Sequence, residues 1–371
     1  MVKTGCPRSA GSDILTRVMA QRRLEPTQAA IRYMCERFAL GGHCDGRLTP
    51  IARGAMGRIW RLSLSGRDYA VKELFWGFDE AAVVREAALR DAAADAGVAS
   101  PANLRTVGGR YVCTLPTDLG GADVRVFTWV EGRQVEAGEP GVIRWVGHTL
   151  GVLHGLRYSY PHVPSDPWYD RVPTPEQWDD LLTRGRVDRR PWASLLEQRL
   201  PLLNTLCAQV KPLDPAALIY SHLDFQPQNV FVDRAGRHVL LDWEDAGPSM
   251  PDRVLAGVLT PWCTEDGVVY ADRVREFLHA YRLAGGTGRM TGMESFSANL
   301  AGYLNYVSAQ ASFSLDHTQA ADMREYADHE ASGALANPST TELFGEILRA
   351  VEGVRRHGTC ESGRVDRGDS V

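Results

Sequence analysis

Two carboxylates and one amide stand at short, fixed spacings in the second half of the chain. Asp224 and Asn229 lie five residues apart in SHLDFQPQNVFVD, and Asp242 follows Asn229 by 13 residues. A carboxylate at Asp224 can accept the proton of a substrate hydroxyl, and the Asn229 carbonyl oxygen is a hard ligand suited to Mg²⁺. Taken singly, such residues are usually turn or cap residues. Their common arrangement, an acid, an amide, a strand, a turn, a strand and a second acid, favours phosphoryl transfer.

A lysine in the first half of the chain is the candidate partner for phosphates. Lys72, in the strand-like segment YAVKEL, is one of only three lysines, whereas the chain has 38 arginines. A compact ammonium suits nucleotide phosphates, although a strand lysine can also simply extend to solvent. The acid predicted to hold Lys72 is Glu86 on the following helix, with Glu80 as an alternative. A surface pair between Glu86 and Arg90 is the competing interpretation.

Two glycines stand in a turn ahead of Lys72. Gly54 and Gly57 lie in ARGAMGRIW, between two segments of strand character. Glycines at such a turn let backbone amides approach phosphates, but an ordinary hairpin turn explains the same spacing.

Hydrophobic periodicity predicts the elements that must position these residues. The spacing of apolar residues divides the chain into two parts. The first part is predicted to contain strands and one long helix, and the second is predicted to be mostly helical. The strands are predicted over 48–53, 58–65, 69–75, 110–115 and 124–130, and the helices over 27–40, 78–97 and 142–156. A strand-containing passage, 217–245, interrupts the helical second half and has Ala235-Gly236 as a hairpin turn.

These segments resemble the aminoglycoside phosphotransferase and choline kinase family. The catalytic segment of that family reads approximately HGDLHPGNVL, and its metal-binding segment reads roughly IDWEDAGLGDPAYDLA. The first is matched at His222, Asp224, Pro227, Asn229 and Val230. The second is matched at Asp242, Trp243, Glu244, Asp245, Ala246, Gly247, Pro251 and Asp252.

The resemblance implies roles for particular residues. It makes Asp224 the base, Asn229 and Asp242 the Mg²⁺ ligands, and Asp252 a brace for the catalytic loop. It also implies that Lys72 contacts the phosphates of ATP, with GTP left open as the donor. The segment FTWVEGRQV resembles the family's hinge, where backbone groups from Trp129 to Glu131 would bind adenine. The histidines at 148, 154 and 222 are expected to be structural.

The implied fold is α+β, a protein-kinase-like two-lobe architecture. We expect a small antiparallel-sheet N-lobe over 48–132, which binds the nucleotide, and a larger, mostly helical C-lobe over 133–357, which binds the acceptor. An N-terminal helical extension over 1–47 and a flexible tail over 358–371 are predicted to flank them.

The distribution of charge favours a cationic small-molecule acceptor. Residues 221–340 carry 16 acidic and 8 basic side chains, a net charge of −8. Such a surface attracts cations and disfavours nucleic acid. Because no apolar run of about 18 residues occurs, we expect no membrane partner and a cytoplasmic location. An aminoglycoside or a basic peptide antibiotic is the predicted acceptor. A metabolic kinase for choline or a similar hydroxy-amine, and a catalytically inactive nucleotide-binding regulator, are the alternatives, and the oligomeric state is open.

Overall fold

A computed structural model describes residues 23–41, 44–54, 56–156, 158, 163–338 and 341–361. The predicted N-terminal extension is therefore described only from residue 23, with a gap at 42–43. The predicted tail lies outside the described residues beyond 361, and the last helix runs as far as Glu361.

The first part of the chain forms a five-stranded antiparallel sheet with two helices. Its strands follow the order β1-β2-β3-β5-β4 across the sheet. The elements are α1 (Gln28–Phe38), β1 (Gly46–Arg53), β2 (Gly57–Leu64), β3 (Arg67–Leu74), α2 (Glu80–Asp95), β4 (Cys113–Thr114) and β5 (Asp123–Thr128). The predicted strand over 110–115 is thus reduced to two residues. Tyr111 and Val112, which precede β4, are buried against α2 instead.

Alternation along β2 explains why α1 covers one face of this sheet. Trp60, Leu62 and Leu64 are buried, and they share a core cluster with Ile31 and Met34 of α1. The helix begins at the cap residue Thr27, whose hydroxyl accepts a hydrogen bond from the amide of Ala30. The predicted N-terminal helical extension therefore packs on the sheet through α1.

The segment before α1 is tied to the same lobe by a buried carboxylate. Glu73 is fully buried on β3, next to Lys72. It accepts hydrogen bonds from the Leu24 amide at 2.8 Å and from the Trp60 indole at 3.0 Å. Both oxygens of this buried side chain accept a hydrogen bond in this way, which limits the cost of burial.

The described residues after β5 are mostly helical, with three small sheets. The order is β6 (Gly132–Gln134), α3 (Val142–Gly155), α4 (Pro175–Val187), α5 (Ala193–Gln209), β7 (Ile219–Ser221), β8 (Val230–Asp233), β9 (His238–Leu240), β10 (Gly247–Ser249), α6 (Pro251–Cys263), β11 (Thr264–Glu265), β12 (Val268–Val269), α7 (Ala271–Leu283), α8 (Ser297–Ser314), α9 (Ala321–Ala336) and α10 (Thr341–Glu361). The sheets are β6-β8-β9, β7-β10 and β11-β12.

Close packing of α3 on α7 organises the helical core. A side chain at Gly147 would place its Cβ 2.4 Å from the Phe277 carbonyl oxygen, so glycine is required for this approach. Near the end of α3, buried His154 hydrogen-bonds the Tyr281 hydroxyl through Nδ1 at 2.7 Å. His148, in contrast, is exposed.

The hairpin β8-β9 has the predicted form. Gly236 adopts a left-handed conformation with φ of 77°, and its amide donates to the Asp233 carbonyl at 3.0 Å. Asn229 stands just before β8 and Asp242 just after β9. Because the Leu241 amide donates to the Asn229 carbonyl at 2.8 Å, the hairpin brings both residues to the same end.

Side chains also join the sheet lobe to the helices at a distance from this hairpin. Trp76, after β3, meets Phe313 of α8 edge-to-face with ring centroids 5.1 Å apart. Arg53 at the end of β1 lies 3.5 Å from the Asp322 carboxylate of α9. Among the described residues, no helix is both long and apolar enough to cross a bilayer.

Candidate active site

The loop that presents Asp224 is held in an uncommon backbone conformation. Leu223 has φ of 60°, a left-handed conformation that branched or bulky residues rarely adopt. His222, fully buried, hydrogen-bonds the Leu241 carbonyl through Nε2 at 2.9 Å, and the Trp262 indole donates to the Phe225 carbonyl at 2.8 Å. Such strain persists only where surrounding contacts impose it, so the loop is constrained from both sides.

The Asp224 carboxylate receives hydrogen bonds at both oxygens. Asn229 Nδ2 donates to Asp224 Oδ2 at 2.7 Å, and Gln226 Nε2 donates to Oδ1 at 2.6 Å. Burial and the nearby Asp242 charge raise the Asp224 pKa to about 6, against the lowering effect of these hydrogen bonds and of Lys72. A carboxylate with a raised pKa is a stronger base than an ordinary one, which suits acceptance of a hydroxyl proton.

Asn229 is oriented by the same contacts. Its Nδ2 also donates to the Asp224 backbone carbonyl at 2.8 Å, so both of these bonds use the nitrogen side of the amide. The Oδ1 atom is therefore turned away from Asp224. The amide oxygen, which is the atom that can ligate a hard cation, is therefore not used in either of these hydrogen bonds.

Asp242 is the second residue of the site with a left-handed backbone, with φ of 55°. Its side chain is 42% exposed, and its Oδ1 lies 2.8 Å from Lys72 Nζ. Burial acts to raise the Asp242 pKa, but the Lys72 ammonium outweighs burial and holds the pKa below its usual range. Asp242 is thus an ionised carboxylate that is still open to a further ligand.

Lys72 links the sheet lobe to the segment that follows β9 in the other lobe. Its side chain is only 10% exposed, and Nζ also lies 2.7 Å from Glu244 Oε2. Burial would lower the Lys72 pKa, but the charges of Asp242 and Glu244 raise it above its ordinary value. The ammonium therefore stays charged between two carboxylates.

The prediction that Glu86 holds Lys72 is wrong in this structure. Both Glu86 oxygens bind the guanidinium of Arg125, at 2.7 and 2.9 Å, and burial raises the Glu86 pKa. Arg125 lies directly opposite Lys72 in the pairing of β3 with β5. A planar guanidinium matches both oxygens of a carboxylate at once, which an ammonium cannot do. The alternative, Glu80, pairs with Arg110 at 3.0 Å.

Two residues of this site were not predicted to act there, Arg125 and Glu244. Glu244 Oε1 lies 3.4 Å from an Arg125 nitrogen, and its other oxygen binds Lys72. The available signals were an arginine within the apolar strand VRVF and the glutamate two residues after Asp242. Neither signal indicates by itself that the two residues meet.

The predicted brace Asp252 makes a different contact from the one expected. Its carboxylate accepts a hydrogen bond from the Ser295 hydroxyl at 3.2 Å, whereas the catalytic loop is braced by His222 and Trp262. The structure thus shows a structural role for His222, as predicted. Burial lowers the His222 pKa to about 4, so the ring is neutral near pH 7.

Gly54 and Gly57 form the turn between β1 and β2. The Gly54 amide donates to the Gly57 carbonyl at 2.9 Å. A Cβ at Gly57 would lie 2.2 Å from the Glu73 carbonyl oxygen, so this glycine is needed for β2 to approach β3. Contact of the turn with phosphates stays a prediction.

Trp129 and Glu131 lie in the connection between β5 and β6, as the predicted hinge requires. The Trp129 indole donates to Glu131 Oε2 at 3.1 Å, and the guanidinium of Arg61 lies 4.8 Å from the centroid of the Trp129 ring. These side-chain contacts fix the connection between the two lobes. Binding of adenine by its backbone groups stays a prediction.

Lys72, Asp224, Asn229 and Asp242 thus converge, and their chemistry fits a metal-bound nucleotide. The Asn229 amide oxygen and the Asp242 carboxylate are hard donors suited to Mg²⁺. Lys72 pairs with two carboxylates, Asp242 and Glu244, and the charges of Lys72 and Asp242 act on Asp224 nearby. Together, one ammonium and three carboxylates carry a net charge of −2 when Asp224 is ionised. A divalent cation would balance that charge.

Comparison with known proteins identifies the class. A sequence profile of the phosphotransferase enzyme family matches residues 47–292. The chain therefore belongs to this family, whose members are ATP-dependent kinases of hydroxyl groups, and the predicted enzyme class is confirmed. No curated protein sequence matches the chain.

Solved structures share the fold at low sequence identity. A spectinomycin phosphotransferase, solved with ADP and spectinomycin, has a TM-score of 0.61 and 11% identity over 90% of this chain and 99% of its own. An aminoglycoside phosphotransferase from Alicyclobacillus acidocaldarius has a TM-score of 0.52 and 17% identity over 92% of this chain and 100% of its own. A microcompartment-associated aminopropanol kinase has a TM-score of 0.53 and 15% identity over 83% of this chain and 95% of its own. The predicted two-lobe kinase-like fold is confirmed.

Proposed function

We propose that the protein transfers the γ-phosphoryl group of ATP to a hydroxyl of a small cationic acceptor. The observation that supports this most directly is the convergence of the four predicted groups. Lys72 meets Asp242 at 2.8 Å, and Asp224 meets Asn229 at 2.7 Å, although the four residues come from two lobes. Phosphoryl transfer depends chiefly on positioning and on charge stabilisation, which such a cluster supplies.

In this mechanism Asp224 accepts the proton of the acceptor hydroxyl as its oxygen bonds to the γ-phosphorus. The bond between that phosphorus and the bridging oxygen breaks, and ADP leaves. Lys72 binds the phosphates and keeps its charge because of the carboxylates around it. Asn229 and Asp242 would hold Mg²⁺, which would supply positive charge to neutralise the phosphates.

The acceptor class is proposed from charge. The net charge of −8 over residues 221–340 lies in the helical lobe, where an acceptor facing Asp224 has to bind. Long-range attraction of this kind raises the local concentration of a cation. An antibiotic such as an aminoglycoside or a basic peptide fits the proposal, and the fold is shared with a spectinomycin phosphotransferase. A small hydroxy-amine is the second candidate, since an aminopropanol kinase also shares the fold.

The test is nucleotide consumption over a panel of cationic antibiotics, choline and small hydroxy-amines. We expect turnover with one class of acceptor, and a loss of kcat by a factor on the order of 10² to 10⁴ in Asp224→Asn. The matched control is Asp233→Asn, in the hairpin turn, where an amide can keep the bonds from the Ala235 and Arg237 amides. This control is expected to retain full turnover.

The panel also separates the alternatives. The acceptor with the highest kcat/KM distinguishes an antibiotic kinase from a metabolic one. Binding of MgATP without turnover of any acceptor would favour a catalytically inactive regulator. Wild-type turnover retained in Asp224→Asn would refute the assignment of the base.

A further inference from the structure

Helix α2 and Lys72 are connected by a chain of charged side chains. Glu86 of α2 binds Arg125 with both oxygens, and the two side chains are 7% and 1% exposed. Arg125 also approaches Glu244 Oε1 at 3.4 Å. The other oxygen of Glu244 lies 2.7 Å from Lys72 Nζ. Each link is close enough for an ion pair.

The position of Arg125 is difficult to explain by stability alone. A buried ion pair is often no more stabilising than apolar side chains of similar volume. Moreover, Arg125 lies beside Lys72 across the β3-β5 pair, and its Nε is buried without a hydrogen-bond partner. The guanidinium therefore acts through its two terminal nitrogens, one of which contacts carboxylates from both lobes.

We propose that Arg125 is a positioning residue for Lys72 and acts through Glu244. The guanidinium occupies the place beside Glu86 that was predicted for Lys72. Glu244 contacts both Arg125 and Lys72 and thereby restrains the ammonium. This inference rests on the proposed function, because the positioned ammonium is the one that binds nucleotide phosphates. It adds two residues, Arg125 and Glu244, to the set that determines nucleotide affinity.

The restraint has a measurable consequence. A lysine has a long, flexible stem, and ordering that stem at the moment of binding weakens affinity. Removal of the restraint is expected to weaken MgATP binding by roughly tenfold. Arg125→Met alone would leave Glu86 charged and unpaired in the interior, so loss of folding would obscure the result.

The experiment therefore uses the double variant Glu86→Gln/Arg125→Met, which removes both buried charges. MgATP affinity is measured by titration calorimetry, and thermal unfolding is followed in parallel. We expect a folded protein that binds MgATP roughly tenfold more weakly than the wild type. The control is Arg190→Met/Asp328→Asn, a pair with side chains 13% and 15% exposed among the C-terminal helices. It is expected to bind MgATP like the wild type.

A second variant keeps the test decisive if the first does not fold. Glu244→Gln leaves the Glu86–Arg125 pair intact and is expected to show the same loss. Adding Glu244→Gln to the folded double variant should weaken MgATP binding by no more than a further factor of about two, because both changes interrupt the same chain of contacts from Glu86 to Lys72. Wild-type affinity in either Glu244→Gln or the double variant would overturn the inference. Failure of the wild type itself to bind MgATP would instead remove the proposed function, and this inference with it.

Discussion

Protonation of one buried histidine should make the protein sensitive to acid. His154 is 5% exposed at the end of α3, and burial lowers its pKa to about 3. In the unfolded chain the pKa is the ordinary value of about 6.5. The unfolded state therefore binds the proton more readily. The contribution of the neutral His154 ring to the free energy of unfolding is fully present above pH 6.5 and is lost as the pH falls toward 3.

The magnitude follows from the difference between the two pKa values. Each pH unit below 6.5 costs about 1.4 kcal/mol of unfolding free energy, until the folded-state pKa is reached. Between pH 7 and pH 5 the loss attributable to His154 is thus about 2 kcal/mol. His222, whose pKa is also lowered, adds to the acid sensitivity of the wild type.

The assay is urea unfolding of the wild type and His154→Gln at pH 7 and pH 5. The amide can still accept a hydrogen bond from the Tyr281 hydroxyl, and the contribution of His222 is common to both proteins and cancels. We expect the variant to lose about 2 kcal/mol less than the wild type between the two pH values. The control is His279→Gln, which removes an exposed imidazole from α7. Equal losses in the wild type and His154→Gln would refute the argument.

Two further predictions concern the backbone around the site. Gly57→Ala would place a methyl group 2.2 Å from the Glu73 carbonyl oxygen, and we expect urea unfolding to show a loss of about 1–3 kcal/mol. Gly333→Ala, in α9 with open space around it, is the control and should not destabilise. Trp262→Phe removes the donor to the Phe225 carbonyl. We expect the variant to lose about 1–3 kcal/mol of unfolding free energy, measured by urea unfolding, and to turn over more slowly. Unchanged stability would contradict the bracing role of Trp262.

The proximity of Asn229 and Asp242, two of the residues proposed to act in phosphoryl transfer, could be predicted because their spacing along the chain encodes a compact hairpin. From Asn229 to Asp242 the chain has only one strand, one turn and one strand, so both ends must return to the same place. Lys72 was found by its residue type, as one of three lysines in a chain of many arginines. In such cases local sequence constrains the geometry strongly.

The partner of Lys72 could not be predicted, because it depends on how separate elements pack. Helical spacing indicates which face of α2 carries Glu86, but not which cation on the sheet lies opposite that face. Arg125 comes 39 residues after Glu86, and Glu244 comes 119 residues after Arg125. Likewise, Tyr111 and Val112 have strand character, yet they are buried against α2 instead of extending β4.

The hydrogen bond from Leu24 to Glu73 bears on where the folded lobe begins. The family match starts at residue 47, but the Leu24 amide satisfies a buried carboxylate beside Lys72, and α1 covers Trp60 and Leu62. A chain shortened to begin at residue 47 would expose the apolar face that contains Trp60 and Leu62 to water. It would also leave one Glu73 oxygen without the Leu24 amide that donates to it. Anyone who transplants the sheet lobe into another protein should therefore include residues 23–46 with it.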